Sequence, residues 1–384
     1  MIQLHEMRHP ATGQVCMAIH PRPIHRNRKE LTMKSALFFG EKDIRVEDRP
    51  TPVPGSGEVL IAIKSVGVCG SDLHNYRGNR AATQDIPWEQ GHELAGVVEA
   101  LGPGVDELAV GDRVGIEAEH LVGCGHCREC LRGDYHICPE RGVINGARHG
   151  SHGFSSHDVT LASNCFPLPD HVSFDDAAIL DCYACGVHAV NRTPVPVDGT
   201  SVIVGAGAIA LTLGQVAKAY GAGRIIMVGT RPEPLQTAVD AGAADEYIVN
   251  ADEDPVLGVL DRTDGQGAEV VFETVGGESQ LIAQCCAMAR RGGTVSVVGL
   301  FTQPQTLDSQ ALGMAKELVL TWSNSYSSWQ GISEYQTALG LLASGRLNAG
   351  PIITHRFPQL QIADAFAAAD DKWTSGAIRV VVNH

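Results

Sequence analysis

From Met33 to about Thr193 the apolar residues come in short runs, at 35–39, 59–66, 94–100 and 113–116, each cut off by proline or glycine. Short runs bounded by turn formers read as strands, so this stretch predicts a compact β-rich lobe. Pro194 and Pro196 mark a change of pattern. Beyond them come a strand-like run at 201–204, a glycine turn at 205–210, a helical apolar face at 211–220 and a second run at 224–228. Further strand candidates at 246–249, 269–273, 294–298 and 318–321 each lie beside helical text. That alternation predicts an α/β unit built on a parallel doubly wound sheet. The last strand-like segment, 377–382, is set off from that sheet by Pro351 and Pro358, which predicts a C-terminus returning to the first lobe.

A chain of 384 residues is long enough for two cores, and 44% apolar residues with 43 glycines suits a globular α/β protein. The formal charge of -15 disfavours nucleic acid and anionic membrane as partners. No apolar stretch reaches the roughly 18 residues a membrane span requires. Residues 1–32 differ: Arg8, Arg22, Arg26, Arg28 and Lys29 occur there without lasting periodicity, so a flexible extension is expected, with Met33 an alternative start. An organellar targeting peptide is disfavoured for want of an amphipathic helix pattern.

Cys124, Cys127, Cys130 and Cys138 are separated by two, two and seven residues. Two-residue spacers let successive thiolates converge on one ion about 2.3 Å away, and four sulfurs fill its shell. The odd total of eleven cysteines argues against a disulfide framework. The pattern predicts a closed structural zinc lobe over residues 120–140, whose metal binding is folding free energy.

Gly205 and Gly207 sit between a strand and a helix, the context in which a glycine pair signals dinucleotide binding. The first makes the turn, the second admits the pyrophosphate, and Ala210 takes the third, packing position. Ala208, Ile209 and Ala210 open the helix, whose backbone N–H groups face the phosphates. No acid stands where the ribose 2′-hydroxyl acceptor is expected, whereas Thr230 and Arg231 suit a 2′-phosphate. The cofactor expected is NAD or NADP, with NADP slightly favoured.

A second constellation lies in the β-rich lobe: Cys69, Ser71, Asp72 and His74, then His92 and Glu93. A thiolate and an imidazole beside a carboxylate, apart from the closed lobe, point to a catalytic zinc with an open position. Asp181, closing an apolar run, requires a charged partner and is the leading candidate for a further ligand; Cys182 and Cys185 are rivals. The basic run from Arg148 through His149, His152 and His157 is a candidate lining of the substrate cleft. Trp322, Tyr326 and Trp329 are candidates for the pocket or for a subunit contact.

In this order, the Cys69–His74 stretch, the His92-Glu93 pair, the four-cysteine lobe and the glycine turn make the chain resemble the zinc-dependent medium-chain dehydrogenases. The likeness is to the polyol (sorbitol-like) and threonine dehydrogenase branches and runs from about Met33 to the C-terminus. It implies a GroES-like catalytic domain over 33–193 and 352–384 and a Rossmann domain over 194–351. It further implies two zinc ions per chain, with Cys69, His92 and Asp181 at ligand positions and Glu93 an adjacent acid that ligates or exchanges with water. Ser71 and His74 match a proton relay from the alcohol, whose hydride goes to the nicotinamide. Asp181 is the choice of the threonine branch. The phosphate turn departs mildly, lacking the proline and further glycine that are common there. A polyol or secondary alcohol is the substrate expected first, L-threonine-like oxidation second, and a catalytically silent NAD(P)H sensor is the alternative of another class. The resemblance also implies a homo-oligomer, a tetramer or a dimer, and a cytoplasmic location is expected.

Overall fold

The computed structural model describes residues 5–8, 15–18, 32–78, 86–118, 122–144, 147–148 and 151–384. Of the expected flexible extension, 5–8 and 15–18 pair as an antiparallel ladder, and the rest of 1–31 lies outside the described residues.

Two sheets organise the molecule. The first has seven strands in the order Cys165–Pro167, Arg113–Ile116, Glu93–Leu101, Glu58–Gly67, Arg379–Asn383 and Ile353–Pro358, with His157–Leu161 also paired to Glu58–Gly67. Most of its ladders are antiparallel, and Arg379–Asn383 returns from the chain's end to pair with Glu58–Gly67, as the text at 377–382 predicts. Phe38, Ile61, Val98, Ile116 and Phe366 fill its core.

The second sheet has six parallel strands in the order Glu246–Val249, Arg224–Gly229, Thr200–Val204, Ala268–Glu273, Ala289–Val297 and Val319–Trp322. In chain order this is 3-2-1-4-5-6, the arrangement whose direction reverses beside the first strand and opens a crevice at the strands' carboxyl ends. Alternation explains why both faces are apolar: Val202 and Val204 pack on one side and Ile203 on the other. The helix Leu180–Arg192 lies before the expected domain boundary at 193, yet Tyr183 and Val187 share a core with Ile203, Leu213 and Phe272. Among the described residues no helix is long and apolar enough to cross a membrane.

Candidate functional site

Strand pairing brings the reactive constellation together. Gly67 at the end of Glu58–Gly67 faces Glu93 at the start of Glu93–Leu101, so the residues just beyond each strand become neighbours. Cys69 leads into the helix Gly70–Tyr76, where Asp72 Oδ2 accepts the Cys69 backbone N–H at 2.9 Å and fixes the turn. One ligand atom each from Cys69, His92 and Glu93 lie within 4.8 Å of one another. Sulfur, nitrogen and oxygen converging at that spacing is a donor set that fits zinc.

The charges there are coupled. Burial works against a charged His92 ring, but the Cys69 sulfur beside it, with Asp72 and Asp181, pushes it up to about 10. Burial pushes the Cys69 thiol up, and the attraction and hydrogen bond of His92 outweigh it, leaving the thiol below its ordinary value. Asp72 Oδ1 stands 3.8 Å from His92 Nδ1. Glu93 is buried against Arg379, which also donates to the Val68 carbonyl at 2.9 Å. A side chain at Gly67 would run into both Glu93 and Arg379, so only glycine fits beneath that pair.

Asp181 opens the helix Leu180–Arg192, and its Oδ2 accepts the Tyr326 hydroxyl at 2.7 Å. Burial raises its pKa, and the charge of His92 pulls it back, which places Asp181 within electrostatic reach of the cluster although outside the 4.8 Å group. Of its rivals, Cys182 Sγ lies 3.7 Å from Glu93 Oε1, and burial holds both Cys182 and Cys185 well above the ordinary thiol range. Ser71 and His74, half-buried, are one turn apart on Gly70–Tyr76 and share a face.

The four cysteines form a separate cluster. Cys124 Sγ and Cys130 Sγ are 3.9 Å apart, Cys127 Sγ and Cys138 Sγ 3.8 Å. A tetrahedron with metal–sulfur bonds of about 2.3 Å has edges of about 3.8 Å, so the spacing fits a closed zinc site. Backbone N–H groups of Cys124, Cys127, Cys130 and Glu140 point at these sulfurs at 3.3 to 3.4 Å.

Gly205, at φ +128°, occupies the turn after Thr200–Val204, and a Cβ there would collide with the Thr274 hydroxyl. Gly207 caps the helix Ala208–Ala219, and a Cβ there would meet nothing within 4 Å, which leaves room for a pyrophosphate against the helix start. Ala208 and Ala210 are buried and Ile209 is half-buried. Thr230 is exposed, whereas Arg231 reaches across to donate to the Lys372 carbonyl at 2.6 Å and stacks over Trp373.

Other candidates separate. Tyr326 is fully buried, while Trp322 and Trp329 are exposed. His149 lies outside the described residues, and His152 and His157 pair with Asp158 and Glu99 of the β-rich lobe. Sequence reasoning missed Arg379, although a lone arginine in the apolar run 377–382 signals a buried charge in need of a partner.

A parallel sheet with a glycine turn after its first strand, and an antiparallel sheet with two groups of side chains spaced to hold a metal ion, have the architecture of a zinc-type alcohol dehydrogenase. Family comparison agrees: residues 55–170 match the alcohol dehydrogenase GroES-like domain and residues 208–344 the zinc-binding dehydrogenase model. The sorbitol dehydrogenase of Bacillus subtilis (strain 168) is 32% identical over 345 residues, 88% of this chain and 93% of that protein. The L-threonine 3-dehydrogenase of Thermococcus kodakarensis is 34% identical over 333 residues, 86% of this chain and 91% of that protein. Among solved structures, a short chain alcohol dehydrogenase from E. coli CFT073 complexed with NADH superposes with a TM-score of 0.81 at 26% identity, covering 92% of this chain and 99% of that one. The chain belongs to the zinc-binding medium-chain dehydrogenase family, and it is an NAD(P)-dependent alcohol or polyol dehydrogenase.

Proposed function

We propose that the chain oxidises a polyol or secondary alcohol, and reduces the corresponding ketone, at a centre held by Cys69, His92 and Asp181 with Glu93 beside it. The observation that carries this reading is the convergence of the Cys69, His92 and Glu93 ligand atoms within 4.8 Å. When bound, zinc makes an alcohol hydroxyl more acidic and the nicotinamide takes the hydride. The protein's own groups do the rest. Ser71 and His74, one helical turn apart, carry the hydroxyl proton toward solvent. Arg379 lies against Glu93 and sets a positive charge beside the acid. Gly205, Gly207 and the start of Ala208–Ala219 bind the pyrophosphate and so orient the nicotinamide.

A second zinc is assigned to Cys124, Cys127, Cys130 and Cys138, giving two per chain. NADP is placed ahead of NAD on Thr230 and Arg231, whose anchoring by Lys372 leaves further N–H groups for a 2′-phosphate. Asp181, the residue that suggests the threonine branch, keeps L-threonine-like amino alcohols as the second substrate reading. Exposed Val319 and Trp322 on the edge strand of the parallel sheet, with Trp329 and Ile332 exposed on the adjoining hairpin, support association of copies into a dimer or tetramer. The described cysteines are all free of disulfides, which suits the cytoplasm.

The test is a panel of polyols, secondary alcohols and L-threonine scored by nicotinamide absorbance with NAD and with NADP, alongside metal analysis of wild type and Cys69→Ala. Turnover on a polyol and loss of one of two zinc ions in the variant are expected. Cofactor binding with no turnover on any substrate would leave the sensor reading standing instead.

A further inference from the structure

Asp181 and His188 lie on the helix Leu180–Arg192 seven residues apart, about two turns, so both side chains leave the same face. Residues 326–334 cross that face as a strap. At one end the Tyr326 hydroxyl donates to Asp181 Oδ2 at 2.7 Å. At the other, Glu334 takes His188 Nδ1 at 2.7 Å, Asn191 Nδ2 at 2.8 Å and the Ser327 backbone N–H at 2.8 Å. Tyr326, Ser327, Glu334, His188 and Asp181 are all buried.

Between these anchors the strap is fastened to the four-cysteine lobe. The Ser327 hydroxyl, the Ser328 hydroxyl at 3.2 Å and the Ser328 N–H at 3.2 Å converge on one acceptor, the Gly133 carbonyl. Gly133 stands between Cys130 and Cys138 at φ +89°, and a Cβ there would strike the Ser328 hydroxyl, so both its conformation and the close approach need glycine. The lobe's fold therefore sets the strap, and the strap sets the carboxylate.

We propose that Tyr326 is a positioning residue that orients Asp181 toward the catalytic metal, and that the four-cysteine lobe fixes Tyr326 through the Gly133 carbonyl. This rests on the reading of Cys69, His92 and Asp181 as the metal centre. With Oδ2 engaged by the tyrosine, Oδ1 would be the oxygen left free for the ion. Hydrogen bonds of this kind to a ligand change metal affinity about 10- to 100-fold. Because metal binding folds a thiolate knuckle, the state of the lobe reaches the catalytic centre without sharing a ligand with it.

The experiment uses the full chain with cobalt(II) as the probe in the catalytic site and zinc retained in the lobe. Cobalt affinity is read by chelator competition and ligand geometry by the visible spectrum. Tyr326→Phe is expected to keep lobe zinc and circular dichroism, weaken cobalt binding about 10- to 100-fold and shift the cobalt bands. Gly133→Ala is expected to do the same to a smaller degree. In an Asp181→Asn background, Tyr326→Phe should add less than about twofold, because its route is through the carboxylate. An unchanged affinity and spectrum in Tyr326→Phe, or a full effect in the Asp181→Asn background, overturns the proposal while the metal centre stands. Wild type that takes up no Cys69-dependent cobalt overturns both. Should Tyr326→Phe fail to fold, Ser327→Ala reads the same coupling, and an unchanged cobalt spectrum there refutes the lobe's part in it.

Discussion

Replacing Arg379 by methionine removes the guanidinium that lies against the Glu93 carboxylate. Both side chains are at most 5% exposed, so the carboxylate left behind has little water to turn to. The Val68 carbonyl loses its guanidinium donor in the same step. Breaking one side of a buried ion pair costs about 3–5 kcal/mol, whereas replacing both sides with apolar residues of similar size is often neutral. Arg379→Met is therefore expected to lose about 3–5 kcal/mol, and Glu93→Leu with Arg379→Met to fall within about 1 kcal/mol of wild type. The assay is urea unfolding followed by far-UV circular dichroism. Zinc is held saturating for every variant, since metal bound to the native state adds stability of its own. A single variant within about 1 kcal/mol of wild type, or a double variant no more stable than the single one, would refute the argument that Glu93 depends on this arginine.

Gly205→Ala places a Cβ against the Thr274 hydroxyl at a backbone angle side chains avoid, a strain of about 1–3 kcal/mol. Fluorescence titration should show NAD(P)H binding weakened about tenfold or more with zinc content unchanged, and unaltered cofactor affinity would contradict the phosphate-turn assignment. Glu117 is held up to about 7, chiefly by burial, against the hydrogen bond from Tyr135 and with help from Asp181 and Glu334. Its native pKa lies above the unfolded one, so its contribution is fully present below the unfolded value and is lost as pH rises through about 7. Glu117→Gln should accordingly gain on wild type in stability between about pH 4.5 and 7 and hold that gain above, and parallel stability curves would refute it. His74→Ala should slow turnover with both zinc ions retained; loss of a zinc would make His74 a ligand instead.

Much of this architecture was legible because the chain is locally consistent. The runs at 201–204, 224–228, 246–249, 269–273, 294–298 and 318–321 each overlap a strand of the parallel sheet, the inner ones because a strand buried on both faces is continuously apolar. The four cysteines were legible because a knuckle is local, its ligands being fixed by spacing alone. Arg379, 286 residues beyond Glu93, was not, because only the return of Arg379–Asn383 to Glu58–Gly67 brings the two together. Tyr326 escaped for the same reason: a tyrosine beside two tryptophans reads as one aromatic patch, yet Tyr326 turns inward to Asp181 while Trp322 and Trp329 face out.

How the proposed ligands are distributed explains why Asp181 stands apart from the tight group. Cys69, His92 and Glu93 are carried by the antiparallel sheet and the turns at its strand ends, and pairing of Gly67 with Glu93 fixes their spacing. Asp181 rides instead on a helix whose apolar side, with Tyr183 and Val187, packs in a core shared with the parallel sheet through Ile203 and Phe272 and with the antiparallel sheet through Ala95 and Val381. Its distance from the cluster is thus set by the packing of this helix between the two sheets, not by a strand register. A shift of a helix by 1–2 Å is the scale at which packed interfaces move. A shift on that scale would bring the Asp181 carboxylate toward the cluster or withdraw it, so a substitution that repacks this helix should be read first as a change in metal affinity.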